Sequence, residues 1–184
     1  MGWEGDVLLW IQDNLRNAVL DPICKFMGTI GSHGEFAIAV ALLLLIIPKT
    51  RRTGCICALS LATTHVVSNM IIKKIVDRTR PYDVINGLVP LTGPLDSPSF
   101  PSGHAAATFS CLFVIVLMMP KKYGIPALLV SLFMAYSRMH VGVHYPTDVL
   151  AGMVIGIFFA CLYTFIYKKK FAPNVRGTKP LKGK

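Results

Sequence analysis

Three short stretches of this chain concentrate the residue types that handle phosphate. Lys73 precedes Arg80-Pro81, Pro101-Ser102-Gly103-His104 forms a compact block, and Ser137-Arg138 is followed by His144 and Asp148. Pro-Ser-Gly opens a helix whose unpaired N–H groups and partial positive charge suit an anion. Arg80 and Arg138 can each clamp two phosphoryl oxygens, and Lys73 adds a point charge. His144 and Asp148 stand four apart, so on one helical face the carboxylate can hold the imidazole tautomer and orientation. The other ring nitrogen of His144 is then available to attack phosphorus, and His104 fits a general acid that protonates the leaving oxygen. Taken singly, each stretch has an ordinary explanation. Lys and Arg at helix ends snorkel, Pro-Ser-Gly is a common helix start, and a histidine near an interface is unremarkable.

The elements that must position these residues are apolar. Of 184 residues, 53% are hydrophobic and 15% charged, against about 25% charged in an ordinary soluble domain, and the mean hydropathy is +0.56. That composition excludes a disordered chain and, with five cysteines at this length, argues against a secreted disulfide scaffold. Apolar runs cover Phe36–Ile47, Gly54–Ile72, Ala105–Met119, Tyr123–Tyr136 and Val149–Tyr167, with a weaker one over Leu15–Ile30. The polar sequence left over is too little to cover them in water. The expected fold is therefore all-α: one polytopic membrane bundle of about six transmembrane helices spanning the whole chain, 1–184. Residues 1–16 are expected to form a short amphipathic interfacial segment, because Leu8, Ile11, Leu15 and Val19 share a helical face with Trp3 and Trp10 nearby.

Charge sets the expected topology. The net charge is +10, but Lys49, Arg51, Arg52, Lys121, Lys122 and the basic tail 168–184 all fall on one side if the helices alternate. The positive-inside rule makes that side cytoplasmic and puts the phosphate-handling stretches on the extracytoplasmic face of a plasma membrane. The tail reads as a solvated anchor touching anionic lipid. Nucleic acid is not an expected partner, since the cations cap apolar spans and form no recognition motif. Cys24, Cys55, Cys57, Cys111 and Cys161 lie in or beside the spans and read as small buried thiols.

The three stretches match, position for position and in order, a K-x6-R-P, P-S-G-H and S-R-x5-H-x3-D signature. In this the chain resembles the type 2 phosphatidic acid phosphatase superfamily over nearly its whole length. The resemblance implies that His144 forms a phosphohistidine, supported by Asp148, and that His104 protonates the leaving group and then activates water. It implies that Lys73, Arg80, Ser102, Gly103 and Arg138 bind the phosphoryl group, with neither metal nor cofactor. The expected partner is a membrane lipid phosphate or diphosphate, such as undecaprenyl diphosphate, phosphatidylglycerophosphate or phosphatidic acid. No carboxylate cluster in the sequence suits Mg²⁺. Two other readings compete: a vanadate-dependent haloperoxidase, which shares the oxyanion site but is soluble, and a non-catalytic protein of a lipid pathway.

Several residues fall outside the signature. Asp77, Asp83 and Asp96 read as solvated loop residues, and Lys74 and Arg78 as ordinary interface charges that attract anionic headgroups. His65, Asn69 and Lys73 form a polar line along one helix that faces the bundle and holds Lys73. His140 is expected to pack or to meet substrate. Gly152, Gly156 and Ala160 continue the face of Asp148 and permit a close approach of the last helix to its neighbours.

Overall fold

A computed structural model describes residues 2–32 and 34–171, all-helical with irregular connections and no strand among those residues. Helix α1 (Trp3–Leu15) is followed by α2 (Leu20–Ile30), α3 (Glu35–Ile46) and α4 (Arg51–His65). A π-helical stretch, Val66–Ile72, continues α4 into the short α5 (Lys73–Val76), and α6 (Pro81–Val84) follows. Three long helices complete the described residues: α7 (Gly103–Met118), α8 (Lys121–His140) and α9 (Pro146–Phe171).

Helix α7 is the hub and packs along α9, α8 and α4. It is largely apolar, and Ala105, Phe109, Cys111, Leu112 and Val114 are buried, as expected of a helix surrounded by others. Its seam with α9 depends on glycine. A Cβ on Gly152 would stand 2.5 Å from the Ser102 carbonyl oxygen, and one on Gly156 would stand 2.6 Å from that of Ala106. Ala160, the next position of the stripe, is fully buried. The small residues thus allow the backbones near-contact.

Among the described residues, two helical stretches are long and apolar enough to cross a bilayer, Arg51–Val84 and Pro146–Phe171. Helices α2 and α3 meet that test jointly, bent by 62° between them. Helix α7 is apolar but only 16 residues long, and α8 has 20 residues with Lys121, Lys122, Arg138 and His140 at its ends. Leu42, Ile46, Leu59, Leu129, Val154 and Phe165 are among many large apolar side chains left exposed on the outer surface, the pattern of a protein solvated by lipid.

The basic residues gather at the end of the bundle away from the phosphate-handling stretches. Arg52 Nη1 lies 3.4 Å from the Tyr167 hydroxyl, and Lys168 Nζ donates to the Leu117 carbonyl at 3.2 Å. Helix α9 runs on through Lys168–Lys170 to Phe171, so helix continues past the expected start of the tail. Arg176, Lys179, Lys182 and Lys184 lie outside the described residues. Helix α1 buries Leu8 and Ile11 and leaves Trp3, Val7 and Trp10 exposed as a second stripe.

Candidate active site

Three chain segments converge at the opposite end of α7. Ser102 caps the helix: its side chain accepts from the Ala105 N–H at 3.5 Å, and its carbonyl accepts from Ala106 N–H at 3.0 Å. Its own N–H donates to the Asp148 carbonyl at 2.9 Å, which ties the start of α7 to the first turn of α9. The first-turn N–H groups of Gly103 and His104 have no carbonyl four residues back within the helix. Between α8 and α9 the chain reverses at Gly142, whose φ of +79° is left-handed. Pro146 then starts α9 with a ring preset for the first helical position.

The convergence encloses a cavity of about 500 Å³ lined by Lys73, Arg80, Gly103, His104, Arg138 and His144. Six of the eight residues singled out by their spacing therefore face one space. Ser102 and Asp148 are fully buried behind it: Ser102 shapes the helix start, and Asp148 lies behind His144. The polar line is also present, since His65 and Asn69 join Lys73 on the cavity wall and pair side chain to side chain at 3.1 Å. The π-helical stretch supplies an extra residue within this line, a local widening frequent at functional sites.

Backbone carbonyls hold the cations. Arg80 donates through Nε to the Ser97 carbonyl at 2.9 Å and through Nη1 to that of Val143 at 2.8 Å. Arg138 donates through Nη2 to the Cys24 carbonyl at 2.9 Å and to its neighbour's hydroxyl, Ser137 Oγ, at 3.0 Å. Two buried guanidinium groups are thereby oriented by hydrogen bonds to carbonyl and hydroxyl oxygens. Close approach of α2 makes this possible: a Cβ on Gly28 would lie 2.6 Å from Arg138 Nη1, and one on Gly31 would lie 2.7 Å from His104 Cδ2.

The two histidines are each anchored on one side. His104 Nε2 lies 3.0 Å from the Gly28 carbonyl; a carbonyl only accepts, so that nitrogen carries the proton and Nδ1 is left for the cavity. His144 Nδ1 lies 3.6 Å from Asp148 Oδ2 and 3.5 Å from Ser99 Oγ, leaving Nε2 on the cavity side. Asp148 Oδ2 also accepts from Ser99 Oγ and from the Tyr145 N–H at 2.9 Å. Burial pushes the His144 imidazole down to about 4; the pull of Asp148 opposes this, and Arg80 and Lys73 add to it. At neutral pH the ring is therefore uncharged, with a lone pair available.

Spacing alone missed three residues of this network. Arg78, expected to be an ordinary interface charge, donates to Asp148 Oδ1 at 2.6 Å and to Glu4 Oε2 at 2.7 Å. It turns inward because Asp77 ends α5 in the left-handed region, at φ +44°. Glu4 and Ser99 are the other two. Lys74, Asp77, Asp83 and Asp96 are exposed. His140 packs: it is fully buried, with Asp21 at 2.8 Å and the Tyr136 hydroxyl at 3.0 Å.

This arrangement can take a phosphoryl group between three cations and an uncharged imidazole, with a second imidazole across the cavity. The chain is similar to several known proteins. The PAP2 superfamily profile matches residues 53–172. An undecaprenyl-diphosphatase of Sulfolobus acidocaldarius is 31% identical over 139 residues, 76% of this chain and 66% of that protein. The undecaprenyl-diphosphatase BcrC of Bacillus subtilis is 30% identical over 80% of this chain and 75% of its own length. A lipid A 1-phosphatase of Rhizobium etli is 30% identical over 62% of this chain and 54% of its own. The chain thus spans somewhat more than half to two thirds of several of the curated relatives it matches. In fold it is similar to the crystal structure of Aquifex aeolicus LpxE, with a TM-score of 0.80 at 24% identity over 90% of this chain and 96% of that one. A PAP2 type phosphatidylglycerolphosphate phosphatase from Bacillus subtilis superposes with a TM-score of 0.73 at 23% identity, over 91% and 85% of the two chains. With the signature, the cavity and these likenesses in agreement, the chain belongs to the PAP2 superfamily.

Proposed function

We propose that this protein is an integral membrane phosphatase that hydrolyses a lipid phosphate or diphosphate through a phosphohistidine, without a metal ion. The observation that carries the reading is the cavity itself, where Lys73, Arg80 and Arg138 surround a space flanked by His104 and His144. Lys73, Arg80, Arg138 and the N–H groups at Gly103 bind the phosphoryl oxygens and stabilise charge as it develops. Ser102 contributes by setting the start of α7. His144 Nε2 attacks phosphorus in line with the ester oxygen; the P–O bond breaks as the P–N bond forms. His104, protonated at Nδ1 and supported at Nε2 by the Gly28 carbonyl, gives its proton to the leaving oxygen. It then takes a proton from water, whose oxygen attacks the phosphohistidine and frees inorganic phosphate and His144. Asp148 stabilises the positive charge that the His144 ring carries in between.

The lipid class follows from the surroundings. An apolar groove of about 550 Å³ between α3 and α4 is lined by Ala41, Leu45, Ala58 and Ala62 and shares Leu61 and His65 with the cavity. A hydrocarbon chain in that groove places its headgroup among the cations, so substrate arrives sideways from the bilayer. Undecaprenyl diphosphate, phosphatidylglycerophosphate and phosphatidic acid all have this form. The whole chain acts as one membrane domain of about six spanning helices, with residues 1–16 at the interface. The basic end and the tail 168–184 are cytoplasmic, and the site faces outward across a plasma membrane.

The test is phosphate release in EDTA from a panel of lipid phosphates and diphosphates, by the wild-type protein and by His144→Ala. Release by the wild type and none above background by the variant is expected. A strict metal requirement, or full activity in His144→Ala, would overturn the mechanism.

A further inference from the structure

Arg78 is not part of the signature, yet it touches Asp148 more closely than any other cation does. Its Nη1 reaches Asp148 Oδ1 at 2.6 Å and Thr147 Oγ1 at 2.8 Å, and its Nη2 reaches Glu4 Oε2 at 2.7 Å. The guanidinium lies 3.8 Å over the Tyr145 ring. We propose that Glu4, on the N-terminal helix, is a positioning residue for His144, acting through Arg78 on the Asp148 carboxylate. The proposal rests on the phosphatase reading above and extends it to a helix that the signature does not include.

Asp148 divides its two oxygens. Oδ2 takes Ser99 and the Tyr145 N–H and faces His144, while Oδ1 meets Arg78. The guanidinium therefore sets the rotation of the carboxylate about its own bond, and with it the aim of Oδ2 at the imidazole. Arg78 is set in turn by Glu4. The other Glu4 oxygen accepts from the Thr147 N–H at 3.1 Å and from its hydroxyl at 2.6 Å. Thr147 is in the first turn of α9, where N–H groups lack helical partners, so Glu4 also caps α9 from another helix. Burial opposes ionisation of Glu4, but Thr147 and Arg78 outweigh it and hold the carboxyl below its ordinary range.

Helix α1 is fastened so that Glu4 cannot wander. Glu4 shares a face with Leu8 and Ile11, at positions i, i+4 and i+7, and both of those are buried. At the far end Gln12 accepts from the Val89 N–H at 2.9 Å and donates to the Gly87 carbonyl at 2.9 Å. Arg16 donates to the carbonyls of His140 at 3.0 Å and Val89 at 2.6 Å. Arg78 and Glu4 are 28% and 18% exposed, so solvent screens their attraction; the pair matters through geometry.

The test compares Glu4→Gln, Arg78→Gln, the double variant and Arg78→Lys, all as full-length protein in detergent. Each is assayed for phosphohistidine formation in a single turnover of dioctanoyl phosphatidic acid. Gln at position 4 still accepts from Thr147 but carries no charge to hold Arg78. Arg78→Gln is expected to slow phosphohistidine formation roughly 10- to 100-fold, the scale known for outer partners of metal-bound histidines, with KM nearly unchanged. Glu4→Gln is expected to slow it several-fold, and the double variant should match Arg78→Gln alone. Arg78→Lys should recover part of the loss. The acid limb of kcat/KM should move to higher pH in Arg78→Gln, since one nearby cation is lost; Lys73, Arg80, Arg138 and His104 still face His144 across the cavity, and Asp148, Glu4 and Tyr145 remain. If the Glu4→Gln loss multiplies undiminished in the Arg78→Gln background, Glu4 acts independently of Arg78 and the proposal fails. Unchanged single-turnover rates in both single variants overturn it as well. Should the wild type release no phosphate, the phosphatase reading fails separately. The ¹⁵N resonances of the His144 ring then decide the proposal: a shift in both single variants supports it, and none refutes it.

Discussion

Replacing Gly152 with Ala tests whether the α7–α9 seam sets the chemistry. The added Cβ would stand 2.5 Å from the Ser102 carbonyl oxygen, 3.1 Å from Ala106 N and 3.2 Å from Ala105 Cβ. Ordinary C···O contacts begin at about 3.3 Å, so the helices must part by ~0.8 Å where α7 starts. All the obstructing atoms belong to backbone or to a Cβ, so no side chain can swing aside. A displacement near 1 Å at a reacting centre costs on the order of 10²-fold in rate, and overpacking destabilises by about 1–3 kcal/mol. Gly156→Ala is the internal control, with contacts of 2.6 Å to the Ala106 carbonyl and 2.8 Å to Ser110 N. Its clash is similar, but it lies one turn farther from His104 and His144. The expected outcome is similar loss of thermal stability in the two variants, with kcat reduced about 100-fold in Gly152→Ala and less than tenfold in Gly156→Ala. The assay is phosphate release from dioctanoyl phosphatidic acid in detergent, paired with melting by intrinsic fluorescence. Equal activity loss in the two variants at equal destabilisation would refute the idea that this seam sets the register between the histidines.

Other outcomes follow from the same geometry. With burial holding His144 near 4, the neutral ring persists as pH falls from 7 and is lost only through that value. Its ¹⁵N resonances in substrate-free protein should therefore stay those of neutral imidazole at pH 5.5, and titration near 6.5 would contradict this. Ala62→Trp, on the groove wall, should displace roughly two methylenes of a long chain, about 1.6 kcal/mol or ~15-fold in kcat/KM. Dioctanoyl substrate should be hydrolysed as before; equal losses on both would remove the groove from the route. Gly28→Val should weaken phosphate binding, because its side chain takes the space of the Arg138 guanidinium. That variant should show a raised inhibition constant for inorganic phosphate.

The signature stretches were legible because each role needs a residue type at a short, fixed separation along the chain. Pro101 through His104 follow from the demands of a helix start, whereas His144 stands in the turn before Pro146, off the helical face expected for it, and meets Asp148 across the start of α9. The apolar runs were legible for the same reason, since lipid admits few backbones. What spacing could not supply was contact between segments far apart in sequence. Glu4 reaches Arg78 and Thr147 across 74 and 143 residues, and nothing local distinguishes it from Asp6 on the same helix. Arg78 resembled a snorkelling cation, and only the left-handed turn at Asp77 shows why it faces inward. Ser99 sits in an irregular loop without periodicity. The π-helical stretch also lies beyond pattern reading, because Val66–Ile72 has the composition of ordinary apolar helix.

Carbonyls of Cys24, Ser97 and Val143, in place of acidic side chains, grip Arg80 and Arg138. Every amino acid carries the same carbonyl. The identities of Cys24 and Val143 can therefore drift while the electrostatic trap persists, provided the chain keeps its path; Ser97 also accepts from Arg80 Nη2 through its hydroxyl, at 3.0 Å. Gly28 is the exception, since its missing side chain leaves room for Arg138. The binding site is thus inherited largely as a backbone trajectory. Insertions and deletions in the 85–100 loop or before α2 should then alter headgroup preference far more than point substitutions there. An anionic inhibitor would likewise meet cations already aligned by the backbone.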